Sequence, residues 1–174
     1  MARKKTAALA AVLVLAAATV AVAKGKGILY PDWSKPGAGT YDAPAATLGQ
    51  KPSAEQPWSV TTVSSAIDHP IPGKPMTLTG EVIDYSCYLQ VGKHGDKHRD
   101  CGQKCVRAGQ PVGLLTKDGT IYLLMDEEHN QRRDGLTDFR SAAVEHMGHI
   151  VTVNGTFTGV EGQNALYVQG FVKK

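Results

Sequence analysis

Cysteine is rare in this chain of 174 residues: there are three, at positions 87, 101 and 105. An odd number leaves no complete disulfide framework, and no Cys-x-x-Cys-His run exists for covalent haem attachment. A Gly-x-Ser-x-Gly nucleophile turn and a Walker-type phosphate loop are missing too, as is any nucleotide or flavin motif. Net charge is also small where it matters. The 19 basic residues include Arg3, Lys4 and Lys5 at the start; without those three, basic and acidic residues balance. Nucleic-acid binding therefore lacks the cationic surface that neutralising phosphates requires.

The one long hydrophobic run, Ala7 to Ala23, follows that basic start and ends in "AVA". This is the layout of a secretory signal peptide, and the run is short and alanine-rich for a membrane anchor. No cysteine marks a lipoprotein cut, and no arginine pair marks export of a folded protein. The expectation is a leader over 1–23, no membrane attachment after its cleavage, and a periplasmic or extracellular mature protein whose cysteines meet an oxidising compartment.

Proline is nearly absent from the second half: eight of nine prolines fall between Pro31 and Pro75. Residues 24–75 read as a Pro/Gly-rich extended or disordered arm, with Trp33 and Trp58 available to dock on a protein partner. From Met76 the pattern changes. "MTLTGEVID" alternates, with Met76, Leu78 and Val82 on one face and a bend at Gly80. "PVGLLTKDGTIYLLMDE" reads as a hairpin turning at "KDG". "DFRSAAVEHM" puts Phe139, Ala142, Ala143, His146 and Met147 on one helical stripe, capped by Thr137 or Asp138 and ended by Gly148. "HIVTVNGTFTGV" and "NALYVQGFVKK" are two more strands. The reading is mainly β: residues 76–174 form a small five-stranded barrel of the oligonucleotide/oligosaccharide-binding (OB) type. A cysteine-bearing helical insertion lies between its first two strands. An open α+β sheet has the same element order.

"RDCGQKCVRAGQP" is punctuated as a two-turn helix, with Asp100 as N-cap, Gln103 completing a capping box, Gly109 at C′ and Pro111 as a stop. Cys101 and Cys105 then share one face, and Cys101 sits in the first turn, where a thiolate is favoured. Cys87, read as the end of the first strand, supplies a third sulfur. His94 or His98 from "KHGDKHRD" supplies a nitrogen, although each alone reads as a surface residue in a charged loop. Three sulfurs and a nitrogen suit copper before zinc. Met125 comes within reach if the hairpin lies beside the insertion. In the competing reading, Cys87 bonds to Cys101 or Cys105 and staples the insertion, leaving one odd thiol and a structural or interaction subunit. A thiol-disulfide redox protein is the third reading. Nothing nearby supplies an orienting group for a cysteine nucleophile, so the chain reads as a binding protein rather than an enzyme. Asp84 reads as a plain strand end. His146 and His149 suit a helix C-terminus. "DEEHN", with His129, lacks the oxygen spacing of a calcium loop.

Two resemblances bear on this segment. Cys-x(3)-Cys is similar to the short copper-binding motif of the chaperones that assemble cytochrome oxidase. It also resembles the start of that oxidase's dinuclear copper motif, which next needs a histidine where Gly109 stands. "GEVIDYSCYL", "KHRDCGQKC" and "PVGLLTKDGTIYLLMDE" together resemble a set of small secreted bacterial proteins over about Leu78 to Glu127. That likeness implies an exported OB-like domain and specifies neither a reaction nor a metal.

Overall fold

The computed structural model describes residues 39–51, 64–66, 69–71, 73–126 and 135–168, with only the backbone described for 64–66 and 69–71. The leader over 1–23, Trp33, Trp58 and His129 lie outside the described residues.

A long strand starts the barrel. Lys74–Asp84 is one run of eleven residues. It pairs antiparallel with Ile150–Val160 through its first eight residues and with Val112–Thr116 through its last five. A strand can serve two neighbours in this way only if it bends, and Gly80 allows the bend. A Cβ there would stand 2.6 Å from the Leu115 carbonyl oxygen, so only glycine permits the approach. In chain order the strands are β1 (Thr47–Leu48), β2 (Ser64–Ala66), β3 (His69–Ile71), β4 (Lys74–Asp84), β5 (Val112–Thr116), β6 (Ile121–Asp126), β7 (Ile150–Val160) and β8 (Gln163–Val168). The helices are α1 (Tyr85–Val91), α2 (Arg99–Arg107) and α3 (Asp138–Glu145), with a 3₁₀ turn at Asp96–His98.

Strands β4 to β8 close on themselves. β4 pairs β5, β5 pairs β6, β6 runs parallel to β8, and β8 pairs β7, which returns to β4. This is the OB connectivity, with α3 before the fourth barrel strand as expected. Closure rules out the open sheet. The predicted hairpin is β5–β6, and its turn is held by the Asp118 carboxylate, which accepts from the Thr120 N–H at 3.2 Å and from both flanking threonine hydroxyls. These bonds hold the Asp118 pKa below its ordinary value.

Of the face read on the first strand, Val82 is core while Met76 and Leu78 are half-buried. Val82, Leu114, Val151, Val153 and Leu166 have no exposed surface; each such burial contributes about 1.5–3 kcal/mol relative to exposure. The stripe on α3 is slightly rotated. Phe139, Ala143, Val144 and Met147 are buried, whereas Ala142 and His146 are half-buried. Thr137 is the cap, its hydroxyl accepting from the Arg140 N–H at 3.1 Å.

Residues 39–51, part of the stretch read as an arm, lie against the barrel, turning at Thr40 to Ala43 before a two-residue strand. Thr47 and Leu48 run parallel to Thr152 and Val153, and Leu48 is buried. Ala45 N–H donates to the Ile150 carbonyl at 2.8 Å. The Tyr41 hydroxyl reaches the Leu115 carbonyl at 3.3 Å.

Candidate metal centre

The insertion between β4 and β5 contains two helices, one of them unexpected. The sequence reading ends the first strand at Cys87, but β4 stops at Asp84 and α1 begins at Tyr85. The reason is local. The Asp84 side chain accepts from the Cys87 N–H at 3.1 Å, an N-cap that satisfies a free amide of the first turn. Asp84 thus has two roles: it turns the chain into α1, and it sets a carboxylate beside the Cys87 thiol. Gly92 closes α1 in the left-handed conformation, φ 67°.

The second helix differs from expectation at its start and agrees at its end. Asp100 is not the N-cap. The 3₁₀ turn at Asp96–His98 runs directly into α2, so His98 takes the cap position without a side-chain bond and Asp100 falls inside the first turn. Gln103 forms no capping box. It is buried, and its amide donates to the Val144 carbonyl of α3 at 2.9 Å. At the C-terminus, Gly109 N–H donates to Val106 O and Gln110 N–H to Cys105 O, the Schellman pattern that needs a left-handed residue. Gly109 supplies it with φ 104°.

A lattice of polar bonds sets α2 against the barrel end. The buried Arg99 donates from Nε to the Met147 carbonyl at 2.8 Å. Gly102 packs so closely on Met147 that a Cβ would lie 2.8 Å from its sulfur. The turn after α3 is in turn bonded to β4, with Gly148 N–H to Val82 O at 2.7 Å and Val82 N–H to His149 O at 3.0 Å. β4, α2 and α3 are thereby held in register around the end of β4.

That register brings Asp84, Cys87 and His98 together. One ligand atom from each lies within 4.8 Å of the other two. Asp84 is 1 % exposed and His98 is 6 % exposed. His98 Nε2 is buried and has no hydrogen-bond partner. The Asp84 carboxylate accepts from the Cys87 N–H and faces His98. A buried nitrogen without a partner is costly unless something satisfies it, and an ion held between the two groups would do so.

The other two cysteines adjoin this group. Cys105 interacts with the Asp84 carboxylate and with the Cys101 thiol. Burial, then Asp84, then Cys101 push its pKa from 9.0 to about 11. Burial also raises the Cys87 pKa, helped by the charges of Asp84 and Cys101 and opposed by Lys93. All three cysteines are free thiols; Cys87 and Cys105 are half-buried and Cys101 is exposed. His94 stands apart. Its Nδ1 is 2.9 Å from the Glu81 carboxylate, whose other oxygen accepts from the Gly95 N–H, and Tyr88 packs edge-on at 5.7 Å. A narrow crevice bordered by Glu81, Asp84, His94, His98 and Met147 links the two places. Met125 faces outward from β6 and is 37 % exposed.

Of the residues singled out from the sequence, Cys87 and His98 lie in the tightest group. Cys105 borders it, Cys101 lies beyond Cys105 at the surface, and His94 is engaged with Glu81. The residue that the reading passed over is Asp84. Its signal is the Asp-x-x-Cys spacing, in which an N-cap carboxylate must meet the third helical residue. The fold and this group define a small closed β-barrel with a buried Asp/Cys/His cluster that could hold a metal ion. No family model, curated protein or solved structure matches the chain.

Proposed function

We propose that this is an exported metal-binding protein that holds one ion through Asp84, Cys87, His98 and Cys105. The observation that carries the reading is the convergence of three donor atoms, two of them on nearly inaccessible side chains, with His98 Nε2 left without a partner. Carboxylate, thiolates and imidazole together form a four-ligand set that zinc accepts. The carboxylate changes the order of metals expected from sulfur and nitrogen alone. A hard oxygen donor is a poor ligand for Cu(I), whereas borderline Zn(II) takes all three kinds. Zn(II) therefore stands ahead of copper. The ion would also offset the burial and the neighbouring negative charge that keep the thiols protonated, because a coordinated thiol gives up its proton. The leader layout at Met1–Ala23 supports export, to the periplasm or beyond.

The discriminating variant is Asp84→Asn. Asparagine caps a helix about as well as aspartate, so α1 is retained while the charge is lost. Wild-type protein should bind about one Zn(II) per chain in a competitive titration. Asp84→Asn should lose more than the about 10–100-fold in affinity that removal of an outer-shell partner costs. Zn(II) and Cu(I) titrated in parallel set the order of metals. Unchanged Zn(II) affinity in the variant, or no binding by the wild type, would dismiss the site.

A further inference from the structure

The donors proposed above are unequal in one respect that concerns how an ion reaches them. Asp84 and His98 are buried and Cys87 and Cys105 are half-buried, while Cys101 is exposed. Cys101 is also one helical turn from Cys105 on the same face of α2, and the two thiols interact. His98 stands at the start of that same helix, and its ring nitrogen belongs to the group with Asp84 and Cys87. Donor-bearing residues therefore run along α2 from the exposed Cys101 to the unpartnered His98 nitrogen. Resting on the reading of that group as a metal site, we infer that Cys101 is the port of the site, exchanging the ion with a carrier that presents its own thiolate or imidazole ligands.

The exchange balances without any redox change. Cys101 releases its proton to solvent and forms a bond to the ion as one carrier ligand departs. Cys105 gives up its proton and forms a second bond as a second carrier ligand departs. The bond to Cys101 then breaks and Cys101 takes a proton back from solvent, as Cys87 loses its proton and joins Asp84 and His98 in the inner set; the freed carrier ligands take up protons in turn. A thiolate suits the first step because it can bond the ion before the carrier has fully let go. Release runs through the same steps in reverse, so one exposed atom serves both directions. A site meant only to hold its ion needs no such atom.

The test follows transfer of Zn(II) from loaded full-length protein to a chromophoric pyridylazo chelator by stopped flow, with equilibrium affinity measured on the same samples. Cys101→Ser should slow transfer at least tenfold while still taking up one ion per chain. Cys101→His, which keeps a donor atom at the same exposed place, should recover most of the rate. A merely structural role for Cys101 would not produce that recovery. Transfer by Cys101→Ser at the wild-type rate overturns the port and leaves the site standing. Loss of the ion altogether in Cys101→Ser makes Cys101 a resident ligand and also overturns the port. Wild-type protein that takes up no metal removes both readings, and that result is distinct from the other two.

Discussion

The barrel wall is buried mainly by apolar side chains, with Asn154, Thr156 and Thr158 among them, whereas the insertion it carries is buried mainly by polar ones. In the wall, fully buried positions are Val82, Leu114, Val151, Val153 and Leu166, and the backbone groups are paired around a closed ring of strands. In and beside the insertion, the buried residues include Asp84, His98, Arg99 and Gln103. Val106 is the buried large apolar side chain that α2 contributes. Apolar burial stabilises in proportion to area, whatever the detailed arrangement. Polar burial stabilises only when every group meets its partner, and a group left without one is a cost. Arg99 Nε and Gln103 Nε2 meet carbonyls on the α3 side; His98 Nε2 meets no partner. Stability is thus concentrated in the wall, while the unmet demand for a ligand is concentrated in the insertion.

Three perturbations sharpen this contrast. The largest should come from the wall at Gly155, where a Cβ would fall 2.2 Å from the Tyr167 carbonyl oxygen. That oxygen is backbone and cannot yield without opening the seam between β7 and β8. Gly155→Ala should therefore cost about 3 kcal/mol or more, read as a fall in the midpoint of urea unfolding. A neutral result would mean that the seam is not what closes the barrel.

Next comes pH, acting on the insertion. The Cys105 thiol, at about 11, and the raised Cys87 thiol are both protonated near neutrality. Zn(II) must displace those protons to bind, so affinity rises with pH. The expected slope is about tenfold per pH unit for each proton, or about a hundredfold for two, equivalent to about 2.8 kcal/mol per unit. Isothermal titration in buffers of different ionisation enthalpy counts the protons released. A count of zero would remove the thiols from the ligand set.

The smallest effect should arise at Thr137, between the two regions. Its hydroxyl caps α3 and donates to Asp126 at 2.7 Å. Thr137→Ala should cost about 1 kcal/mol of stability and leave Zn(II) affinity unaltered. An equally large loss in affinity would show that the wall and the insertion are coupled through α3.

Much of the wall was legible in the order of residues, because a strand's alternation and a turn's glycine are short-range signals. "KDG" marked the β5–β6 turn, Gly80 the bend in β4, and Thr137 the cap of α3. Gly109 ended α2 as its left-handed conformation requires. The insertion was read less well, for two reasons: the Asp84 cap and the 3₁₀ turn before Asp100 are local features that compete with a strand end and a helix cap, and the remaining misreadings depend on contacts distant in sequence. Asp100 looks like the better cap until the 3₁₀ turn before it is known. Gln103 looks like half of a capping box until Val144, forty-one residues later, is seen to take its amide. His94 and His98 are equivalent on paper, yet Glu81 engages one while the fold buries the other.

The amino-acid order alone determined the class of this protein: a β-rich domain with its cysteines gathered in one segment between the first two barrel strands. Periodicity and spacing act within a few residues and survive without knowledge of the rest. Tertiary structure alone decided which donors meet. That choice depends on β4, α2 and α3 being bonded at one end of the barrel, so that a carboxylate that looks like a plain strand end becomes the centre of the cluster.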